Sequence, residues 1–274
     1  MKARVAGKVP PAHAFFDLSD YAGPAARWLV TRLIDSPVEP MQLTAAFTVA
    51  GVGAGALLAL GRLPWLAAIL LVLKGFLDAA DGSLARARGH PSRVGRFLDS
   101  DCDFVVNVAV FGGLAAGAMA RGGSVAALGL ALAALVSAVL QVSLYNHYYV
   151  LYRAQTGGDQ TSQPNEEKSA AYPWDNPAWL GPLFAAYRLI YGWQDAWMAR
   201  LDRWAAPGVP PLTPAFMTAA SVLGLGTQLL VTAACVVIGR PLLAPWLFVT
   251  VFNAYATLLL LIRRQQRRPG AAGV

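Results

Sequence analysis

Four aspartates, Asp78, Asp81, Asp99 and Asp103, are the residues of this sequence best suited to chemistry. Asp78 and Asp81 are three residues apart, and Asp99 and Asp103 four, so on helices each pair shares a face. With Asp101 they account for a third of the 15 Asp and Glu residues in 274, concentrated between positions 78 and 103. Brought together, such carboxylates repel one another. Two Mg²⁺ or Mn²⁺ ions would remove that repulsion, because hard cations take oxygen ligands and a two-metal site clamps phosphate oxygens during displacement at phosphorus. The residues between the aspartates suit a phosphorylated ligand. Gly82 and Ala85 leave room beside a helix, Arg86 offers paired planar donors to phosphate, and Ser92 can give one more hydrogen bond. Arg88, Arg93 and Arg96 add positive charge.

The elements that must position these residues are apolar. The chain is 56% hydrophobic and 14% charged, with a mean hydropathy of +0.47. Soluble domains are roughly one quarter charged, so the composition points to an integral membrane protein. Cys102 and Cys235 are far apart and form no metal-ligand spacing, which argues against a disulfide framework. Six apolar segments, at about 43–60, 64–78, 98–120, 124–148, 215–238 and 242–262, approach the ~20 residues that cross a bilayer. The expected fold is an all-α integral membrane protein with six transmembrane helices, a short N-terminal amphipathic helix, and a cytoplasmic insertion between helices 4 and 5.

Charge sets the expected orientation. The links after the first, third and fifth segments carry one arginine each (Arg62, Arg121 and Arg240), whereas basic residues collect in the other connections and at the termini. The positive-inside rule then places both termini and the Asp-rich stretch in the cytoplasm, in an inner (cell) membrane. Residues 1–36 read as a cytoplasmic tail followed by an interfacial helix, with the tail, 1–20, polar and flexible. Residues 21–36 set Trp28, Leu29, Leu33 and Ile34 against Arg27 and Arg32, a pattern that suits the membrane surface or packing on the protein's own soluble face. Residues 37–262 read as the membrane domain and 263–274 as a basic cytoplasmic tail. The insertion at 153–213 begins polar, a mobile loop by composition in which Glu166, Glu167 and Lys168 are solvated. From Leu183 to Trp204 its aromatics are spaced as in an interfacial helix. His147, in an aromatic cluster, reads as part of a belt at the cytoplasmic end.

The pattern Asp78-x2-Asp81-Gly82-x2-Ala85-Arg86-x8-Gly95-x3-Asp99-x3-Asp103 resembles, at every fixed position, the signature of the CDP-alcohol phosphotransferases. The resemblance covers about residues 40–262. Pro40 to Thr44 is similar to the Pro-Asn-x-Leu-Thr that opens the first helix of that family, with Met41 where Asn is usual. The resemblance implies that Asp78 and Asp99 bridge two metal ions, that Asp81 completes one site, and that Asp103 ligates the second. It further implies that Asp103 is the general base on an acceptor hydroxyl, which attacks the β-phosphorus of a CDP-linked alcohol and releases CMP. Met41, Gln42, Leu43, Thr44, Gly82, Ala85, Arg86 and Ser92 would hold the CDP moiety. A homodimer is also implied.

The Asp99-Ser100-x2-Asp103 ending resembles the members that use CDP-diacylglycerol with a polar acceptor, more than the choline- and ethanolaminephosphotransferases that use diacylglycerol as acceptor. Two other classes fit less well. A membrane prenyltransferase would usually carry two separated Asp motifs, and after Asp103 the apolar segments contain no Asp or Glu. A transporter would place its charges along a transmembrane path rather than at one rim.

Overall fold

The computed structural model describes residues 7–159, 161–162, 171–206 and 211–265, and among these every regular element is helical. After α1 (Gly23–Leu33), the apolar segments become α2 (Pro40–Leu60), α3 (Pro64–Ala87), α4 (Arg93–Ala120) and α5 (Ala126–Thr156). The insertion forms α6 (Pro177–Tyr187) and α7 (Trp193–Ala205), joined by a π turn at Arg188–Gly192. The C-terminal part contains α8 (Pro214–Ala220), α9 (Leu225–Val237), α10 (Leu243–Leu247) and α11 (Asn253–Gln265). Proline opens α2, α3, α6 and α8 in the first turn, where its missing N–H costs no helical bond.

Four stretches are long and apolar enough to cross a membrane: α2, α4, α5 and the run Leu243–Gln265. The pair Pro214–Leu223 and Leu225–Val237, bent by 45°, makes a fifth if it is one span. The sixth apolar segment is α3. It carries Lys74, Asp78, Asp81 and Arg86 from its middle to its C-terminal end, so its composition differs from that of the other five.

α2, α3 and α4 form the central packing unit, with α9 against α3 and α5 against α4. Glycine permits the closest crossing. A Cβ on Gly113 of α4 would overlap the carbonyl oxygen of Gly55 in α2, and one on Gly55 would overlap that of Ala109. Between α5, α9 and α11 a buried polar chain replaces apolar contact. Gln228 donates to Gln141 (3.1 Å), Gln141 to Asn253 (2.7 Å), and Asn253 to Ser137 (3.0 Å). Amide groups inside a membrane protein need such partners.

Four expectations change. α3 continues past the apolar segment expected at 64–78 to Ala87 and α4 starts at Arg93, before the segment expected at 98–120, so the turn between them is only 88–92. The described part of the N-terminal tail is packed, not free. Phe15 stacks edge-on against Tyr149 and Tyr152 at 5.7 Å, Tyr145 donates to Asp17 (2.6 Å), and Gly226 N–H donates to Ser19 (3.1 Å). α5 runs on to Thr156, so the insertion starts later than 153; residues 160 and 163–170, including Glu166, Glu167 and Lys168, lie outside the described residues. The tail expected from 263 is also helical at its start. Arg263 is buried, 3.6 Å from Asp202 of α7.

α1 packs on the protein through one face and leaves another exposed. Ala26 and Val30 are buried with Ala80 and Leu84 of α3, while Trp28 is exposed with Arg32 over its ring at 4.2 Å. Arg88, expected only to add charge, donates to the carbonyls of Leu33, Ile34, Ser36 and Val38 and so fixes the link between α1 and α2 to the end of α3.

Candidate active site

α3 and α4 meet where their aspartates lie. Oxygens of Asp78, Asp99 and Asp103 all fall within 4.8 Å of one another, close enough to share an ion. Asp78 supplies one helix, and Asp99 and Asp103 supply successive turns of the other. One oxygen of Asp99 is buried without a hydrogen-bond partner. A buried carboxylate oxygen left in that state costs stability unless a cation completes it. The three-carboxylate donor set suits Mg²⁺ or Mn²⁺ on the same grounds.

Asp81, the fourth aspartate of the pattern, lies outside this trio and turns to α2. Thr44 donates to it at 2.7 Å, and its other oxygen accepts the N–H of Gly82. The start of α2 is thereby tied to the aspartate cluster. Asp101 is likewise apart from the trio, and both its oxygens are buried without a hydrogen-bond partner.

Lys74 of α3 also belongs to this cluster. Its side chain is fully buried, with Nζ 2.7 Å from Asp78, 2.5 Å from Asp103, and 4.5 Å from the ring centre of Phe47. The signal was available: Lys74 is the one basic residue inside the six apolar segments, one helical turn before Asp78.

The residues matched to CDP divide by position. Met41 is exposed and Leu43 buried. The side chain of Gln42 accepts the N–H of Glu39 (3.0 Å) as half of a capping box at the start of α2. Gly82 and Ala85 lie on α3 with Arg86, whose Nη2 donates to Ser83 (3.2 Å) and whose Nε is buried without a hydrogen-bond partner. Ser92 caps α4, accepting from Gly95 N–H at 2.7 Å, and donates to Asp175 at 2.5 Å.

Residues 38–172 match the family model described as CDP-alcohol phosphatidyltransferase, and the match contains all four aspartates. The chain carries a CDP-alcohol phosphatidyltransferase domain. It is similar to an archaetidylinositol phosphate synthase of Pyrococcus horikoshii, 46% identical over 20% of this chain and 30% of the relative. A bifunctional IPC transferase and DIPP synthase of Rubrobacter xylanophilus is 41% identical over 32% of this chain and 20% of its own length. A phosphatidylinositol phosphate synthase of Streptomyces avermitilis is 42% identical over 38% of this chain and 40% of its own length. The chain therefore matches only between 20% and 40% of the length of these relatives.

The part of the insertion that lies beyond the matched residues packs against the α3–α4 link and α4. Asp175 accepts from Ser92 and from Arg93 N–H (2.9 Å), Trp174 donates to the carbonyl of Pro91 (2.7 Å), and His90 stacks on Trp174 at 4.9 Å. Further along, Tyr191 donates to the carbonyl of Ser100 (2.9 Å), and Arg96 lies 5.4 Å from the ring of Tyr187. Tyr187, Tyr191 and Asp195 form one wall of a cavity that reaches Asp103, with Asn146 and His147 opposite on α5. His147 thus faces this cavity beside its aromatic neighbours and lies 3.8 Å from Asp202. These aromatic residues were legible in sequence only as an interfacial pattern, because nothing local says which face meets α4.

Outside the membrane segments, burial works against ionisation of Asp202, but His147 and Arg263 beside it hold its carboxyl below the usual range. Burial acts in the same sense on Asp159, where the N–H and hydroxyl of Thr161 and the charge of Arg153 win and hold it low.

Proposed function

We propose that this protein is a membrane transferase that moves a substituted phosphate, most readily phosphatidyl from CDP-diacylglycerol, onto the hydroxyl of a polar acceptor and releases CMP. The observation that carries the reading is the meeting of Asp78, Asp99 and Asp103 within 4.8 Å at the junction of α3 and α4.

The aspartates Asp78, Asp81, Asp99 and Asp103 would hold two divalent ions, Mg²⁺ or Mn²⁺. When bound, these neutralise charge on the diphosphate and on the departing CMP. The remaining chemistry belongs to the chain. Asp103 takes the proton of the acceptor hydroxyl as its oxygen forms a bond to the β-phosphorus, and the bond from that phosphorus to the bridging oxygen breaks, with CMP leaving. Arg86 faces the phosphates, and the start of α2 at 41–44 with Gly82, Ala85 and Ser92 borders the nucleotide.

The acceptor enters through the cavity walled by Tyr187, Tyr191 and Asp195, which has Asp103 in its lining. Two of the three relatives are named as inositol phosphate synthases, which makes a phosphorylated inositol the first acceptor to offer. Arg96 brings positive charge to the same cavity. α3 is the sixth span in this reading, the charged connections and both termini are cytoplasmic, and 37–262 is the membrane domain with its insertion on that side.

The test is CMP release by the purified chain in detergent with Mg²⁺, offering CDP-diacylglycerol or CDP-choline with a panel of acceptors and with EDTA as control. Release from CDP-diacylglycerol with one polar acceptor supports the reading and names the substrate. Release only from CDP-choline with diacylglycerol keeps the mechanism and exchanges the roles of lipid and headgroup. No release with any pair would overturn the proposal.

A further inference from the structure

Lysine is almost never fully buried unless paired, and Lys74 is buried against two of the three carboxylates that meet at the α3–α4 junction. Asp78 and Asp103 share its ammonium, and the ring of Phe47 closes over it. Asp99 does not. Its free oxygen lies in the same trio without a hydrogen-bond partner. The cluster is therefore lopsided: the ammonium contacts Asp78 and Asp103 directly and leaves an oxygen of Asp99 without a partner.

We propose that Lys74 is a positioning residue that makes the two cation positions unequal. A cation held by Asp99 would not share that carboxylate with Lys74, whereas one held by Asp103 would meet the ammonium this carboxylate already contacts, a repulsion that is strong where water is scarce. This second ion binds weakly until a substrate diphosphate adds negative charge to the site. Lys74 also holds Asp78 and Asp103 together before any ion arrives. The inference rests on the reading of the aspartates as a divalent-cation site.

The experiment measures Mn²⁺ binding to the purified full-length chain in detergent, by the resonance signal of free Mn²⁺, without substrate and then with CDP as the diphosphate probe. The wild-type chain is expected to bind one ion tightly and a second more weakly, with CDP tightening the second. Lys74→Met keeps a stem of similar length without the charge and should tighten the second ion by at least about tenfold, as expected for removing one nearby unit charge. Lys74→Arg should keep the wild-type order. The gain in melting temperature on adding Mn²⁺ should also be larger for Lys74→Met, because only the ion then separates Asp78 from Asp103.

Identical isotherms for the wild type and Lys74→Met, or weaker binding in the variant, would overturn the proposal. If Lys74→Met folds neither with EDTA nor with Mn²⁺, Lys74→Gln decides by the same isotherm. Asp99→Asn separates the two readings. If Mn²⁺ binding is lost in Asp99→Asn but untouched in the Lys74 variants, only the present inference fails. If the wild type binds no Mn²⁺ with or without CDP, the cation-site reading itself fails.

Discussion

Thr44 and Asp81, 37 residues apart in sequence, share a buried 2.7 Å hydrogen bond that locks the first turn of α2 onto α3 beside the aspartate cluster. This contact explains why a threonine belongs at the start of α2. It orients one carboxylate of the signature and brings the segment 41–44 to the place where a nucleotide would lie. Thr44→Val removes the donor and leaves a buried carboxylate oxygen unsatisfied, a loss of about 1–3 kcal/mol. Thermal unfolding in detergent should show it, and the KM for the CDP-linked donor should rise.

Asp103 belongs to the carboxylate cluster and also lines the cavity under the insertion. Replacing it with asparagine retains the shape but removes the base. CMP release should fall by roughly a hundred- to ten-thousand-fold, while the protein still binds CDP in a filtration assay. Turnover near the wild-type level would remove Asp103 from the role proposed for it.

Asp175 is the point at which the insertion grips the link between α3 and α4, through Ser92 and the N–H of Arg93. Asp175→Ala releases both contacts. The effect on stability is expected to be about 1 kcal/mol, in the range of a lost cap. The larger change should appear as a raised KM, because the 90–93 link borders the signature. An unchanged KM for both substrates would show that the grip serves stability alone.

Gly113 allows α4 to approach α2 at Gly55. Gly113→Leu forces the two backbones apart and should cost at least about 1–3 kcal/mol. Because α2 and α4 both contribute to the site, activity should fall with the folded fraction, measured by unfolding and CMP release on the same sample.

Asp202 lies between His147 and Arg263, and these partners hold its carboxyl below the ordinary value of 3.8 despite opposition from burial. A carboxyl depressed on folding stabilises the protein above its unfolded pKa, and that stability is lost as the pH falls through the folded value. Asp202→Asn should therefore unfold at a lower temperature than the wild type at neutral pH. The gap should narrow only as the pH drops below about 3.8. A gap that stays constant down through that range would show that charge is not what Asp202 contributes.

Much of this was written locally. The spacing of Asp78, Asp81, Asp99 and Asp103 already predicted two shared helix faces, since the helical repeat alone brings residues three and four apart together. The apolar segments likewise foretold the long helices, because twenty apolar residues in a row have few other stable places. Tertiary structure decided what those faces meet. Lys74 stood in plain sight in an apolar run, but only the packing of α3 on α4 shows its ammonium between Asp78 and Asp103. Asp81 turns to Thr44 and not to the trio, Ser92 to Asp175, and Arg263 to Asp202. The N-terminal segment, polar enough to read as a loose tail, is held by Tyr145 and Gly226. The physical reason is common to all of them. Periodicity fixes which residues share a face of one helix, whereas a hydrogen bond or ion pair between distant residues depends on how separate helices cross, and no local pattern records that.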